Sequence, residues 1–304
     1  MAYDHGHAHS HAPANFGRAF AIGIALNTGF VVIEAVFGVL SGSLALVADA
    51  GHNLSDVLGL LLAWGASILV RRRPTIRRTY GLRRSSILAA LLNAVFLLLA
   101  IGAIGREALG RFAHPEPTAG GPIIAVALVG IVINGTTTLL FASGRRGDLN
   151  IRGAYLHMAA DAGVSLGVVL AGLAILLTGW RWLDPAVSLA IVVVIFVGTW
   201  GLLRDSVNLA LDAVPAGIDT AAVAAYLSAL PGVTAVHDLH IWAMSTTETA
   251  LTAHLVIPGG GDTDALLARA CGELHDRFGI AHATMQIERG DPAHPCGLAS
   301  AGTI

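Results

Sequence analysis

The sequence is poor in charge and contains no lysine, so that all 18 of its basic residues are arginine. Charged residues make up 12% of the chain and hydrophobic residues 55%, whereas an ordinary soluble domain carries roughly 25% charged residues. This deficit excludes a purely soluble protein and indicates an integral membrane protein with a smaller polar part. The formal net charge of -2 argues against a nucleic-acid partner, and we attribute the missing lysine to compositional bias.

Cysteine is also scarce. Cys271 and Cys296 are the two cysteines of the chain, which is too few for a framework of disulfides. We expect Cys271 to be buried within a helix. Cys296 follows His294 and Pro295 near the C-terminus, where it is either inert or an additional soft ligand for a metal ion.

The first 15 residues lack the features of a secretory signal. They have no basic segment and no cleavage site of small residues, so we do not interpret them as a signal peptide. Histidines alternate with other residues at positions 5, 7, 9 and 11. Such a tract is either a weak, flexible metal-binding segment or a disordered polar tail, and both interpretations stay open for residues 1–15.

Long apolar runs dominate the middle of the chain. Six of them are long enough to cross a bilayer, which takes about 20 helical residues. They cover approximately residues 16–40, 44–69, 85–109, 122–143, 153–178 and 184–204. Turn-forming and arginine-rich segments separate them. We therefore predict an α-helical membrane protein with six transmembrane helices within residues 16–205.

Arginine is distributed unequally between the loops that join these runs. The loop between the second and third runs carries seven arginines and the loop between the fourth and fifth carries three. The opposite side has only Arg106, Arg111 and Arg181. Because basic residues favour the cytoplasmic side, we predict a multi-pass protein of the inner (plasma) membrane with both termini in the cytoplasm.

Residues 206–290 have the patterns of a small polar domain in which helices pack on a short sheet. Its predicted elements are a helix from Asp219 to Leu230, strands at 234–243 and 248–257, a helix from Asp262 or Thr263 to Gly279, and a strand at about 281–288. The order α-β-β-α-β predicts a ferredoxin-like α+β domain. A flexible tail is expected over residues 291–304.

Two of the apolar runs contain the pattern His-x-x-x-Asp. The pairs are His52 with Asp56 in the second run and His157 with Asp161 in the fifth. Residues four apart share one face of a helix, and ionisable groups at membrane depth are costly and usually functional. Together the four side chains offer the ligands of a tetrahedral divalent ion such as zinc. The sequence therefore predicts a metal site in the middle of the membrane, as a metal transporter requires.

Asp49 precedes His52 by three residues and lies on the same helix face. It is either a group that orients a ligand, a link in a proton path, or a structural hydrogen-bonding group. Metal binding releases protons from its ligands and histidine titrates near neutral pH, so a His/Asp site can exchange a metal ion for protons. No cysteine lies near either motif, which argues against copper(I).

Several segments resemble the cation diffusion facilitator family, in the order in which that family has them. Residues 43–56 (SLALVADAGHNLSD) are similar to its second-helix signature, and residues 148–161 (DLNIRGAYLHMAAD) are similar to its fifth helix. Further resemblances lie at residues 79–81, 89–93, 236–242 and 284–288. The similarity extends over nearly the whole chain, from residue 16 to residue 290.

The resemblance implies a homodimeric antiporter that exports a divalent metal ion from the cytoplasm in exchange for protons. It also implies the identity of the transport ligands, which are His52, Asp56, His157 and Asp161. Histidine at the first motif position resembles the zinc-type branch, because iron- and manganese-type members often carry aspartate there.

The chain departs from the family at the loop between the second and third helices. Some members bind a further metal ion there through histidine and aspartate, whereas this loop is rich in arginine and has Arg83 and Arg84 where a histidine is expected. We expect no metal ion at this loop. Its arginines are expected to meet anionic lipid or a carboxylate of the partner subunit.

The resemblance further implies a metal site in the cytoplasmic domain, at His237, His254 and Glu288. Metal at a dimer interface would offset acidic repulsion and favour one arrangement of the two domains. The alternative is that these are ordinary polar strand residues. Because successive strand residues point to opposite faces, His237 and His240 are expected to face opposite ways, and Asp238 is a candidate to orient a histidine.

We therefore predict a secondary active transporter, not an enzyme, that exports Zn²⁺ by alternating access and proton exchange. Cd²⁺, Co²⁺ and Ni²⁺ accept similar ligands, so the ligand set does not choose among these ions. An intramembrane metallohydrolase would need an open coordination position and a general base, and the sequence has no HExxH motif. A membrane metal sensor would bind metal without flux, and polar residues in several spanning helices argue against it.

Overall fold

Six long helices form the N-terminal two thirds of the chain. The computed structural model describes residues 17–70, 73–114, 116–142 and 149–298, and only the backbone of residues 17–24, 140–142 and 149–157 and of several positions between 59 and 70. The helices are α1 (Gly17–Ser41), α2 (Leu44–Val70), α3 (Ser85–Ala113), α4 (Gly120–Ala142), α5 (Leu149–Thr178) and α6 (Leu183–Ala210). Each coincides with one predicted apolar run. The histidine tract within residues 1–15 lies outside the described residues.

The described side chains of these helices are arranged for an apolar surrounding. Among the residues whose side chains are described, four stretches are long and apolar enough to cross a membrane, namely Ser85–Ala113, Gly120–Leu139, Met158–Thr178 and Leu183–Ala210, and a shorter apolar stretch covers Ala25–Ser41. Leu99, Val132 and Leu177 are exposed, while Glu34 and Asn134 are buried. A soluble protein shows the opposite preference for charged groups, so this distribution is typical of a bundle whose outer surface meets lipid.

The structure divides into two compact units, and the first contains most of the helical bundle. It comprises the residues up to Leu60 together with Phe96–Thr199. Its apolar core takes one or more side chains from each helix, including Phe30, Leu46, Ile101, Ile123, Val168 and Ile191. Close packing depends on small residues, since a Cβ at Gly130 would lie 2.7 Å from the ring of Phe30. Such close approach is the usual basis of helix association in membranes.

A carboxylate from α6 fixes the beginning of α2. Asp184 is only 1% exposed and accepts hydrogen bonds from Ser43 Oγ at 2.5 Å, the Leu44 N–H at 2.8 Å and the Ala45 N–H at 3.4 Å. The first N–H groups of a helix have no partner within the helix, and the helix dipole favours a negative charge there. Asp184 therefore holds the start of the helix that carries His52 about two turns later.

The second unit comprises Leu61–Val95 and the described residues from Trp200 onward. Beyond α6 it contains α7 (Thr220–Ser228), β1 (Ala235–Ala243), β2 (Thr249–Val256), α8 (Thr263–Phe278) and β3 (Ile280–Glu288). The sheet has the order β1-β2-β3, with β1 antiparallel and β3 parallel to β2. The predicted order α-β-β-α-β and the α+β class of this region are confirmed.

Capping residues explain where the helices of this unit begin and end. Asp219 accepts hydrogen bonds from two N–H groups at the start of α7, and Asp262 accepts one from the Ala265 N–H at the start of α8, as N-cap residues do. Gly279 ends α8 in the left-handed conformation with φ 69°, which glycine adopts without strain.

The prediction that Cys271 is buried is wrong. The face of α8 that meets the sheet carries Leu266, Ala270 and Leu274, which are spaced four residues apart and buried. Cys271 follows Ala270 by one residue and is exposed. Adjacent helix positions differ by about 100° around the axis, which places the thiol on the side of α8 that faces away from the core.

The prediction that His237 and His240 face opposite ways is also wrong. His237 pairs with His254 and His240 pairs with Thr252, so that β1 has an extra residue between these two pairs. Such an extra residue is a β-bulge, and it interrupts the alternation of side chains. Since His254 and Thr252 are two apart on β2, they share a face, and their partners His237 and His240 share it too.

The loop between α2 and α3 contacts the α+β part of its own unit. Arg83 Nη1 lies 2.8 Å from Glu248 Oε2, Arg84 pairs with Asp212, and the Thr246 N–H donates to Ser86 Oγ at 3.1 Å. The loop was expected to meet lipid or a carboxylate of the partner subunit. The carboxylates that it meets here belong to the same chain. Arg71 and Arg72 lie outside the described residues.

Candidate metal centres

The first candidate centre lies in the helical bundle, where α2 and α5 bring a histidine and two carboxylates together. His52 Nε2 lies 3.3 Å from Asp161 Oδ1 and 3.9 Å from Asp56 Oδ2. One ligand atom from each of these three residues lies within 4.8 Å of the other two. Asp161 is almost fully buried, and His52 and Asp56 are partly buried. The helical spacing places His52 and Asp56 on one face of α2, and α5 adds the second carboxylate.

The sequence also predicts His157 and Asp49 at or near this centre. His157 lies in α5 one turn before Asp161, and its side chain lies outside the described residues. Asp49 is buried, but among the described residues it does not belong to the group of ligand atoms that meet within 4.8 Å. Asp49 lies one turn before His52. This position is consistent with each of its three predicted roles, which are orienting a ligand, passing protons and forming a structural hydrogen bond.

Sequence reasoning did not predict one polar contact beside this centre. Asn53 Nδ2 donates to Glu34 Oε2 at 3.0 Å, and both residues are buried. The bond joins α1 to the α2 turn that presents His52. A glutamate at mid-helix and an asparagine beside a motif histidine were visible in the sequence, but only packing shows that they meet.

The separations in this cluster suit a divalent ion. In tetrahedral coordination with metal–ligand bonds of about 2.0–2.2 Å, the ligand atoms stand roughly 3.4 Å apart. The distances of 3.3 and 3.9 Å from His52 Nε2 to the two carboxylates bracket that value. Imidazole and carboxylate are ligands that zinc and its neighbours share. The cluster can therefore bind such an ion after small adjustments of side chains.

The second candidate centre lies on the sheet face opposite to the helices. His254 Nδ1 lies 2.8 Å from Glu288 Oε1, and His237 Nε2 lies 3.4 Å from Glu288 Oε2. The two imidazole rings have their centroids 5.2 Å apart. All three side chains are mostly buried, with exposed fractions of 12 to 16%. The three predicted residues of the cytoplasmic site thus meet at one point.

Cys296 joins this second cluster. Its Sγ lies 3.5 Å from His254 Nδ1, and one ligand atom from each of His237, His254, Glu288 and Cys296 lies within 4.8 Å of the others. Desolvation alone would raise the pKa of Glu288, but the hydrogen bond with Cys296, the charge of His237 and the hydrogen bonds with Gln286 and His254 together hold that pKa below its usual value. Glu288 is therefore ionised at neutral pH.

Asp238 is the bulged residue beside this cluster. It adopts φ 52°, a left-handed conformation that is uncommon outside glycine and is tolerated best by asparagine and aspartate. Its carboxylate lies 3.0 Å from His240 Nε2 and 3.7 Å from His254 Nε2. A carboxylate on the far ring nitrogen orients a metal-binding histidine, and here it leaves His254 Nδ1 facing Glu288. His240 is exposed and does not join the cluster of ligand atoms among the described residues.

Two family models match this chain, one over its helical part and the other over its α+β part. The cation efflux transmembrane domain matches residues 20–209, and the cytoplasmic domain of cation efflux proteins matches residues 215–290.

Full-length relatives are similar over nearly the whole chain. The zinc transporter ZitB of Escherichia coli is 39% identical over 97% of this chain and 94% of its own length. The cadmium, cobalt and zinc/H(+)-K(+) antiporter of Bacillus velezensis is 34% identical over 93% of this chain and 92% of its own length. Among solved structures, the metal-bound C-terminal domain of the CzcD transporter from Cupriavidus metallidurans is 38% identical, covers 23% of this chain and 99% of its own, and has a TM-score of 0.22.

Proposed function

Because this chain belongs to the cation efflux family, whose members are metal cation transporters and not enzymes, we propose that it exports Zn²⁺ from the cytoplasm in exchange for protons. The observation that carries the proposal is the meeting of His52, Asp56 and Asp161 inside the bundle. His157 is proposed as the fourth ligand, since it shares a face of α5 with Asp161. The relatives named zinc transporter and zinc/H(+)-K(+) antiporter support the choice of ion and of exchange.

The proposed mechanism is competition between a metal ion and protons for one set of side chains. Zn²⁺ binds the ionised carboxylates and the neutral imidazoles, so that loading releases protons. Where the proton concentration is higher, protonation of the same groups displaces the ion. Alternating access then requires rocking of the helices about the fixed site. Asp184 holds the start of α2, and Gly130 of α4 packs closely on Ser165 of α5. These contacts are proposed to keep the two ligand-bearing helices in place during this motion.

The proposal includes the placement of the protein in the membrane. All six long helices span the plasma membrane, and both termini lie in the cytoplasm because the arginine-rich loops lie on that side. The α+β domain of residues 206–290 is then cytoplasmic and forms the contact of a homodimer. The boundary at 205 follows the polar end of α6, where Arg204 and Asp205 are exposed.

The cytoplasmic cluster is proposed as a regulatory metal site. His237, His254 and Glu288 lie on a sheet face that no helix of its own α+β domain covers among the described residues. Zn²⁺ bound there would neutralise the local carboxylates and favour one arrangement of the dimer. Cd²⁺, Co²⁺ and Ni²⁺ are possible substitutes for Zn²⁺ at both centres.

Zinc flux into proteoliposomes under an imposed pH gradient tests the transport proposal. Vesicles with the intact protein should accumulate Zn²⁺ when their interior is more acidic than the outside. Accumulation should stop when a protonophore removes the pH gradient. His157→Ala and Asp161→Asn should each lower the flux at least about tenfold, since a lost ligand costs at least as much as a lost orienting group. His114→Ala is the matched control, because His114 is exposed at the end of α3.

Two results would count against the proposal. Zinc binding without gradient-driven flux in the intact protein would favour a metal sensor. Normal proton-coupled flux in Asp161→Asn would remove the bundle cluster as the transport site.

A further inference from the structure

We propose that Cys296 is the fourth ligand of the cytoplasmic site, which makes it a four-coordinate His₂GluCys site for a thiophilic divalent ion, built by a single chain. The inference rests on the proposed function in one respect, namely that the cytoplasmic cluster binds metal. It goes beyond that function by adding a soft thiolate ligand and by drawing the segment after β3 into the site.

The distances bring four different ligand atoms to one point. Cys296 Sγ lies 3.5 Å from His254 Nδ1, which itself lies 2.8 Å from Glu288 Oε1. His237 Nε2 reaches the other oxygen of Glu288 at 3.4 Å. Tetrahedral zinc with bonds of about 2.0–2.3 Å separates nitrogen, oxygen and sulfur ligands by roughly 3.3–3.8 Å. The separations of 3.5 and 3.4 Å already fall in this range. The 2.8 Å between His254 Nδ1 and Glu288 Oε1 must widen by about 0.5 Å for the ion to enter.

The chain reverses direction after β3, and this reversal brings Cys296 back to β2. Gly290 adopts φ 67° close to Val256, where a Cβ would lie 3.0 Å from Val256 Cγ1. Asp291 then closes a turn, since its carbonyl accepts from the His294 N–H at 3.0 Å and its carboxylate accepts from the Ala293 N–H at 2.9 Å. The segment for which the sequence predicts a flexible tail thus contains a defined turn directly before the cysteine.

A polar atom in the cluster provides an independent indication of a ligand. Among the described residues, His237 Nε2 is buried and makes no hydrogen bond, although Glu288 Oε2 lies 3.4 Å away. A buried polar atom without a partner costs free energy, and a metal ion would remove that cost. The side chain is held on this face by the bulge at Asp238, whose own conformation is strained. The strained backbone of Asp238 and the unsatisfied nitrogen of His237 both lie at this cluster, which supports a ligand there.

The thiolate determines which ions the site favours. Thiolate is a soft ligand that prefers Zn²⁺ and Cd²⁺, whereas Mg²⁺ and Mn²⁺ prefer oxygen. Binding transfers the proton of the Cys296 thiol to the solvent as the sulfur–metal bond forms. No cysteine occurs in the bundle, so the two centres differ in softness. Occupation also ties residues 289–298 to the outer face of the sheet.

Cadmium titration of the full-length protein in detergent tests the inference, because thiolate coordination gives a charge-transfer absorption in the ultraviolet. The intact protein and Cys271→Ser should show this band at saturation, and Cys296→Ser should lack it and bind Cd²⁺ at least about tenfold more weakly at this site. Cys271 is a matched control, since it is the other cysteine and lies exposed on α8. His254→Ala, which keeps both cysteines, should also lose the band.

A second measurement requires no substitution and therefore does not depend on how the variants fold. Zn²⁺ should slow alkylation of Cys296 by iodoacetamide at least about tenfold, as read by mass spectrometry of the peptides, and should leave Cys271 unaffected. A band that survives in Cys296→Ser, or equal alkylation of Cys296 with and without Zn²⁺, would overturn the inference. Flux in the same preparation is read separately, so a protein that transports zinc without the band refutes this inference alone, and one with the band but no flux refutes the transport proposal alone.

Discussion

A single residue, Asp238, sets which side of β1 faces the cytoplasmic cluster. Its φ of 52° introduces the extra residue that places His237 opposite His254. Without that bulge, the spacing of three between His237 and His240 would turn one of them towards the apolar core. The carboxylate of Asp238 then lies beside the ring of His254. The backbone and the side chain of one residue therefore serve the same site in two different ways.

Substitutions at Asp238 should separate these two roles. Valine is strained at this φ by about 1–3 kcal/mol, so Asp238→Val should favour a regular strand, turn His237 inward and weaken metal binding at least about tenfold. Glycine accepts the conformation, so Asp238→Gly should keep the bulge and lose only the carboxylate, with a smaller decrease in affinity. Cadmium titration and thermal unfolding measure both effects. Equal losses of metal affinity in Asp238→Val and Asp238→Gly would show that the backbone conformation at this position does not determine metal binding.

At this scale the sequence predicts what is local. The His-x-x-x-Asp spacing is a property of one helix, and His52 and Asp56 do lie on one face of α2. The sequence did not predict that His237 and His240 lie on the same face of β1. Side chains alternate between the two faces only in a regular strand, and the bulge interrupts that alternation. The exposure of Cys271 depends on which side of α8 meets the sheet, and a single apolar neighbour such as Ala270 does not decide that.

Among the elements, α2 depends on α6 for its N-terminal anchor. Three donors at the start of α2 are satisfied by Asp184, which is buried and comes from a distant part of the chain. The sequence predicts the extent of both helices well, since apolar runs and caps are local signals. It does not predict this contact, because nothing local shows which carboxylate meets which helix end.

Removal of this anchor should weaken the bundle. Asp184→Ala should destabilise the protein by about 1–2 kcal/mol, the usual cost of a lost N-cap, and should lower zinc flux because α2 carries two of the proposed ligands. Thermal unfolding in detergent and proteoliposome flux are the measurements. Asp205→Ala, an exposed aspartate in the same helix, is the control. An unchanged unfolding temperature in Asp184→Ala would show that the contact is not stabilising.

The loop between α2 and α3 is held by an ion pair between Arg83 and Glu248. Arg83 and Glu248 are each about one third exposed, so their pair is worth only about 0.2–1 kcal/mol. That free energy corresponds to a change of roughly 1.4- to fivefold in the equilibrium constant for local opening. Glu248→Ala should therefore raise the initial rate of trypsin cleavage at the arginines of this loop by roughly that factor.

A matched exposed pair provides the control for this prediction. Glu273 pairs with Arg277 on α8 at 3.1 Å, and Glu273→Ala should leave cleavage in the loop unchanged. High salt should reduce the difference between Glu248→Ala and the intact protein, since exposed charges are screened. Identical cleavage of Glu248→Ala and the intact protein at low salt would contradict a stabilising role for the pair.

On the scale of the whole molecule, the described residues form two clusters of potential metal ligands that differ in chemistry. The bundle cluster offers imidazole and carboxylate, and the cluster on the sheet adds a thiol. The division into a helical bundle and an α+β part followed from composition and periodicity. The ligands of the bundle cluster could be proposed from the two His-x-x-x-Asp motifs, and those of the sheet cluster from the resemblance to a known family. That Cys296 meets the sheet cluster became evident only from the path of the chain after β3.

The number of bound ions should reflect these two clusters. At Zn²⁺ concentrations too low to load a weak histidine tract, the intact protein should bind two Zn²⁺ per chain, His52→Ala and His254→Ala one each, and the double variant none. Equilibrium dialysis with metal analysis measures the stoichiometry. Since the clusters share no residue, each single variant should leave the other site's affinity within a few tenths of a kcal/mol. One ion in the intact protein, or none in either single variant, would contradict the assignment of separate sites.

The bulge in β1 has a consequence for how this strand can change in evolution. Between the pairs His237–His254 and His240–Thr252, β1 has two residues where β2 has one. Deletion of Asp238 would restore a regular ladder, keep both histidines on the same face and leave Leu239 in the core, whereas a branched side chain at position 238 would turn His237 inward. For the facing of the two histidines, deletion of Asp238 is therefore a milder change than its replacement by a branched residue. Related chains are best compared by the spacing of their histidines as well as by the residues that lie between them.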